Sequence, residues 1–169
     1  RRKGTLDALL RPYIRIPFHA VQPRIWDVLH LGSFQLAYLT HVPKHAAVNE
    51  TVDLAAYVGS PAATGFVNGV MRRVAELVTD DFTDTASPDA IPFSATPSRH
   101  GNESDRVPTS HGLQVTYRKL TRPILPNYDT EPEAYLVAAH SWPGWLAHRW
   151  LKQFGYEECN RLGLWFNAP

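Results

Sequence analysis

A chain of 169 residues with 44% hydrophobic and 20% charged residues has the composition of a globular protein and can bury one sizeable core. Wholesale disorder is excluded, no apolar run approaches the roughly 18 residues that cross a bilayer, and the sole cysteine, Cys159, rules out an internal disulfide framework. The net charge of +1 hides a segregation, because residues 1–24 carry six basic residues against Asp7 alone, while residues 75–106 carry seven acidic residues against Arg99 and Arg106.

With no signal-peptide core after Arg1-Arg2-Lys3, a cytoplasmic protein without a membrane partner is expected, and the tripeptides Asn49-Glu50-Thr51 and Asn102-Glu103-Ser104 are discounted as glycosylation acceptors. A first helix fits residues 3–11, with Leu6, Leu9 and Leu10 on one face, and Pro12 and Pro17 end it. A second fits residues 23–39, where Gly32 permits close packing, and a third fits residues 44–57, stopped by Gly59-Ser60-Pro61. The fourth, residues 61–78, carries Phe66, Val67, Val70, Met71 and Val74 on one face and Arg72 and Arg73 at its edge. Four helices joined by short loops predict an antiparallel bundle.

From Thr79 to about Ser110 the chain turns to Asp, Thr, Ser, Pro, Asn and Gly, which reads as a loop or polar insertion. Leu113, Val115 and Tyr117 alternate with polar residues, so a short strand is expected there, paired with residues 91–95. Helical patterns return at residues 134–140, 143–154 and 156–165, where Trp142, Trp145, Leu146, Trp150, Leu151 and Phe154 are read as one tryptophan-rich face.

The chemistry-bearing residues divide into structural and functional candidates. His41 and His45 have the spacing of a zinc pair, but Pro43 breaks the helix between them and no metal site is expected. Cys159 lies within a helical pattern and reads as structural. Asn49 and Asn68 read as buried amides tying loops to helix ends, and Gly65 with Gly69 as a close-packing pair. Arg72 and Arg73 either engage phosphates, together with the basic stretch 1–15, or pair with Glu76 one helical turn on. No glycine-rich phosphate loop and no complete catalytic set occur.

Three ordered strings carry a family resemblance: Leu31-Gly32-Ser33-Phe34-Gln35-Leu36-Ala37-Tyr38-Leu39, then His45-Ala46-Ala47-Val48-Asn49-Glu50 after Val42-Pro43, then the run from Gly65 to Arg73. Together they resemble the NusB-like domain that opens RsmB-type (Sun/Fmu) ribosomal RNA cytosine-5 methyltransferases and also occurs as the free antitermination factor NusB. The segment from His140 to Trp150 resembles the methyltransferase pattern His-Pro/Ser-x-x-Trp-Leu-x-x-Arg-Trp, and Asn167-Ala168-Pro169 resembles the stretch that precedes the catalytic domain there.

The resemblance implies an all-α, NusB-like antiparallel bundle over residues 1–78, with the family's first helix missing. A polar insertion with a possible short β-hairpin follows over residues 79–131. Residues 132–169 form a tryptophan-rich helical linker to a catalytic domain beyond Pro169, so the chain reads as a fragment. The implied function is RNA binding and substrate positioning for an S-adenosylmethionine-dependent 16S ribosomal RNA cytosine-5 methyltransferase. Ribosomal RNA and the chain's own catalytic domain are the partners, with Arg1, Arg2, Lys3, Arg11, Arg72 and Arg73 as phosphate contacts. The cofactor and the catalytic cysteines are placed in that further domain, and none in this chain. A NusB-type antitermination factor acting with a ribosomal protein, and a non-catalytic helical interaction module, are the alternatives; oligomeric state stays open.

Overall fold

Pro23, Pro43 and Pro61 stand at or beside helix starts, where proline's fixed φ and missing N–H fit an unpaired first turn, and they punctuate the N-terminal half into helices. The computed structural model describes residues 2–59, 61–97 and 113–167. Helix α1 runs Lys3–Leu10, α2 Pro23–Tyr38, α3 Lys44–Val58 and α4 Pro61–Leu77. A 3-10 turn, Arg11–Tyr13, carries the chain out of α1.

The core is the sum of the inward stripes of these helices. Leu9, Leu10, Leu29, Ala37, Ala55, Val67, Met71 and Val74 have essentially no exposure, and each large side chain among them contributes roughly 1.5–3 kcal/mol by leaving water. Gly32 belongs to the α2–α3 contact, since a Cβ there would crowd Thr51 and Met71. Gly65 and Gly69 do not form the expected packing pair, because a Cβ on either would meet nothing within 4 Å.

The all-α expectation holds only approximately. The polar insertion contains a three-stranded antiparallel sheet, with β1 at Val78–Thr83, β2 at Ala90–Pro97, β3 at Leu113–Leu120 and the order β1-β3-β2. The expected pairing of the alternating segment with residues 91–95 is present, as Ile91 opposite Arg118 and Ala95 opposite Val115. β1 was absent from the sequence reading, and it follows α4 without a loop.

Arg118 on β3 holds this sheet to the bundle. Its side chain is 3% exposed, and burying a guanidinium is costly unless its donors are matched. Nη1 donates to the Ala37 carbonyl (3.2 Å), Nε to the Thr79 carbonyl (2.7 Å) and Nη2 to Asp80 Oδ1 (2.7 Å). The Ala37 carbonyl is one of the unpaired groups in the last turn of α2, where a cation is also favoured by the helix dipole. Lys44 reinforces the joint by donating to the Val78 carbonyl at 2.6 Å.

The C-terminal part packs as α5, Pro132–His140, and α6, Gly144–Asn167. Helix α6 is two arms, 144–154 and 156–167, because Gly155 has φ 76° and ψ 173°, a backbone that only glycine adopts readily. This reproduces the expected break between residues 154 and 156. Trp142 is buried while Trp145 and Phe154 are exposed, so the aromatic residues of this segment do not share one face.

His140 fixes the second arm. Its neutral ring donates from Nε2 to Asn160 Oδ1 at 2.7 Å, and Asn160 donates in turn to the Tyr117 hydroxyl. Asn167 donates to the carbonyls of His140 and Gly163, and only glycine at 163 leaves room for the imidazole, which a Cβ would overlap. Burial pushes the His140 pKa down from 6.5 to about 4, outweighing the opposing effect of the hydrogen bond it donates to Asn160.

Two outcomes follow for urea unfolding. Arg118→Ala lowers stability by about 2–3 kcal/mol through three lost hydrogen bonds and orphaned carbonyls, whereas Asp80→Asn, at an exposed carboxylate, costs under about 1 kcal/mol; equal losses would contradict the clamp. Between pH 6.5 and 4 the unfolded chain takes up the His140 proton that the folded chain refuses. The stability from this residue is therefore complete above pH 6.5 and declines as pH falls towards 4, by up to about 3 kcal/mol. His140→Gln removes that part of the acid dependence, and an unchanged pH profile in the variant would rule the residue out as its source.

Candidate nucleic-acid interface

Exposed cations collect on the solvent side of α4, opposite its buried stripe. Arg72 and Arg73 are both exposed. Arg72 Nε donates to Asn68 Oδ1 at 3.1 Å, one turn back on the same helix. Among the described residues neither arginine is within ion-pair distance of a carboxylate, so the alternative of pairing with Glu76 does not occur. Asn68, half-buried, supports Arg72 instead of tying a loop, and Asn49 is exposed, so both departures from the buried-amide expectation lie on this surface.

The sheet adds a third cation that has no signal in the local sequence. At the end of β3 the Thr121 N–H donates to the Leu77 carbonyl at 2.9 Å, which seats the next residue beside α4. Arg122 then lies over the Tyr13 ring, 5.0 Å from guanidinium carbon to ring centroid, a cation–π contact. Tyr13, Gly69, Arg72, Arg73 and Arg122 border one recess of about 600 Å³, with Glu76 as its carboxylate. A second recess of about 320 Å³, bordered by Lys44, His45 and Asn49, shares Arg72 and Glu76 with the first. A third, of about 690 Å³ between α2 and α3, has apolar walls and a single cation, Arg24, beside Asp27, so it gathers no charge for a phosphate.

Of the other expected phosphate contacts, Arg2 and Lys3 have partners elsewhere in the protein. Arg2 is a correction: its guanidinium donates to the carbonyls of Pro92, Phe93 and Asn167 and sits 4.6 Å from the Tyr38 ring centroid, so it clamps α1 to β2 and the end of α6. Its donors are taken up inside the protein. Lys3 pairs with Asp7 at 3.0 Å on α1. Arg11 is exposed at the start of the 3-10 turn that also carries Tyr13. Arg1 lies outside the described residues.

Burial raises the thiol pKa of Cys159 and the phenol pKa values of Tyr117, Tyr135 and Tyr156, which keeps these groups protonated and poor as nucleophiles or bases. No group of three or more His, Cys, Asp or Glu side chains among the described residues is placed to hold a metal, and no helix among them is long and apolar enough to cross a membrane.

Comparison with known proteins accounts for the bundle. The NusB family model matches residues 1–76. Residues 1–76 are a NusB family domain. Over 162 residues, 96% of its length, the chain is 33% identical to a probable ribosomal RNA small subunit methyltransferase B of Bacillus subtilis, of which it covers 26%. It is 41% identical over 73 residues to the corresponding probable methyltransferase of Synechocystis, covering 43% of this chain and 16% of that protein. It is 32% identical over 78 residues to the transcription antitermination protein NusB of Nitrosococcus oceani, covering 46% of this chain and 53% of that protein. The chain thus spans about a quarter or less of these methyltransferases and about half of the antitermination protein. No solved structure matches it.

The residues of this NusB family domain and its extensions do not fit S-adenosylmethionine. The sheet is antiparallel, and β3 runs into Thr121-Arg122-Pro123, not into a glycine-rich turn opening a helix.

Proposed function

We propose that this chain is the RNA-binding, substrate-positioning N-terminal domain of a cytoplasmic, S-adenosylmethionine-dependent 16S ribosomal RNA cytosine-5 methyltransferase. The observation that carries this reading is the extent of the match. Likeness to the Bacillus subtilis methyltransferase runs through the sheet, α5 and α6, whereas likeness to the antitermination protein covers 46% of the chain. The NusB-type antitermination factor, binding RNA together with a ribosomal protein, is the second reading, and the same bundle supports it.

In this function Arg72, Arg73 and Arg122 hold RNA phosphates, and Lys3 and Arg11 extend the field. Guanidinium groups suit this task through their bidentate hydrogen bonding to phosphate oxygens. Trp145, Trp165 and Phe166, which are exposed on α6, face the protein's own catalytic domain, where the cofactor and the reacting groups reside.

Fluorescence anisotropy with a 16S ribosomal RNA hairpin tests the reading. Three phosphate contacts give affinity that falls about an order of magnitude between roughly 50 and 200 mM salt. Replacing both arginines, Arg72→Glu and Arg73→Glu, removes most of the affinity and most of that salt slope. Salt-independent binding, or binding that survives the double reversal, contradicts the assignment; binding only in the presence of a ribosomal protein favours the antitermination reading.

A further inference from the structure

Resting on the reading of Arg72 and Arg73 as RNA contacts, we propose that this surface takes a single strand, threaded across α4 through the two joined recesses, with one unpaired base seated between the Tyr13–Arg122 pair and Gly69. The two recesses meet at Arg72 and Glu76, so together they form one track, with Lys44 and His45 at one end and Arg122 at the other. Along it Arg72, Arg73 and Arg122 supply cations and Tyr13 an aromatic ring, the two kinds of group by which single strands are held through phosphates and stacking together.

Three features select an unpaired base over a duplex. The first is Arg122: its guanidinium carbon lies 5.0 Å from the centroid of the Tyr13 ring, and arginine and aromatic side chains are the groups on which unpaired bases stack. The second is Gly69. It borders the recess, and a Cβ there would meet no atom within 4 Å, so the helix backbone is laid open as a floor that any larger side chain would cover. The third is shape, since the recess is an open depression that a group protruding from a strand can enter from solvent. In A-form duplex RNA the bases are stacked inside and protein contacts fall on 2′-hydroxyls and phosphates, so a duplex has nothing to insert there.

Glu76 sets the register of the strand. A carboxylate repels phosphate but accepts hydrogen bonds from exocyclic amines and from 2′-hydroxyls. Phosphates therefore lie towards Arg72, Arg73 and Arg122, and a sugar or base edge passes over Glu76.

The test is anisotropy titration of the chain with labelled oligouridylate and with its duplex with oligoadenylate. The single strand is expected to bind at least about tenfold more tightly than the duplex. Gly69→Leu adds no charge and improves helix propensity, yet by filling the recess it is expected to weaken single-strand binding about five- to tenfold, and Arg122→Gln and Tyr13→Leu are expected to do the same through lost stacking. Thermal unfolding identifies any variant that fails to fold, and the exposed positions Gly69 and Arg122 keep the test decisive if Tyr13→Leu loosens the core. Equal binding of duplex and single strand, or wild-type affinity in Gly69→Leu and Arg122→Gln, overturns the inference. If those two bind normally while the Arg72→Glu, Arg73→Glu double variant does not, the RNA reading stands without the threaded strand; if the double variant also binds normally, both fall.

Discussion

A guanidinium carried into a protein interior needs acceptors at fixed places, and Arg118 finds three of them on two separate stretches of chain. The Ala37 carbonyl at the end of α2, the Thr79 carbonyl on β1 and the Asp80 carboxylate together determine where β3 lies against the bundle. Everything that follows β3 inherits this placement. The Thr121 amide reaches the Leu77 carbonyl, and Arg122 comes to rest over Tyr13 beside the arginines of α4. The cationic surface is thus assembled from α4, the turn after α1 and the end of β3, and only the bundle-to-sheet joint brings them together.

A second polar joint does the equivalent work at the other end. The ring of His140, the amides of Asn160 and Asn167, and the Tyr117 hydroxyl link α5, the second arm of α6 and β3. Arg2 reaches the same region, donating to β2 and to Asn167. In this network His140 donates from Nε2 to Asn160 while its Nδ1 is buried without a partner, so a second ring proton there would find no acceptor and the neutral form is favoured. The break at Gly155 then turns the two arms of α6 so that Trp145, Trp165 and Phe166 are left outside.

The sequence made the helices legible because their signals are local. Val67, Val70, Met71 and Val74 recur at helical spacing, prolines mark the starts, and Gly155 marks the break in α6. The alternation of Leu113, Val115 and Tyr117 likewise revealed β3 and its partner. Strand β1 was illegible, since Val78-Thr79-Asp80-Asp81-Phe82-Thr83 carries two adjacent aspartates that local propensity places in a loop, and its strand character comes from pairing with β3 forty residues on. The site was half legible for the same reason. Arg72 and Arg73 stand out beside an apolar stripe, but Arg2 looked like an exposed cation until its three carbonyl acceptors were in view, and nothing near Arg122 in the chain announces Tyr13. Gly65 and Gly69 were misread as packing residues because spacing alone does not say whether a second helix lies against them.

In the proposed function RNA is held on the α4 surface, with residues from the turn after α1 and from the end of β3, and not on the exposed aromatic residues of α6. Cross-linking of the chain to a 4-thiouridine-substituted 16S ribosomal RNA hairpin, followed by mass spectrometry of the adducts, tests it most directly. Adducts are expected to concentrate in peptides containing Tyr13, residues 66–76 and Arg122. Adducts confined to Trp145, Trp165 and Phe166 would contradict it.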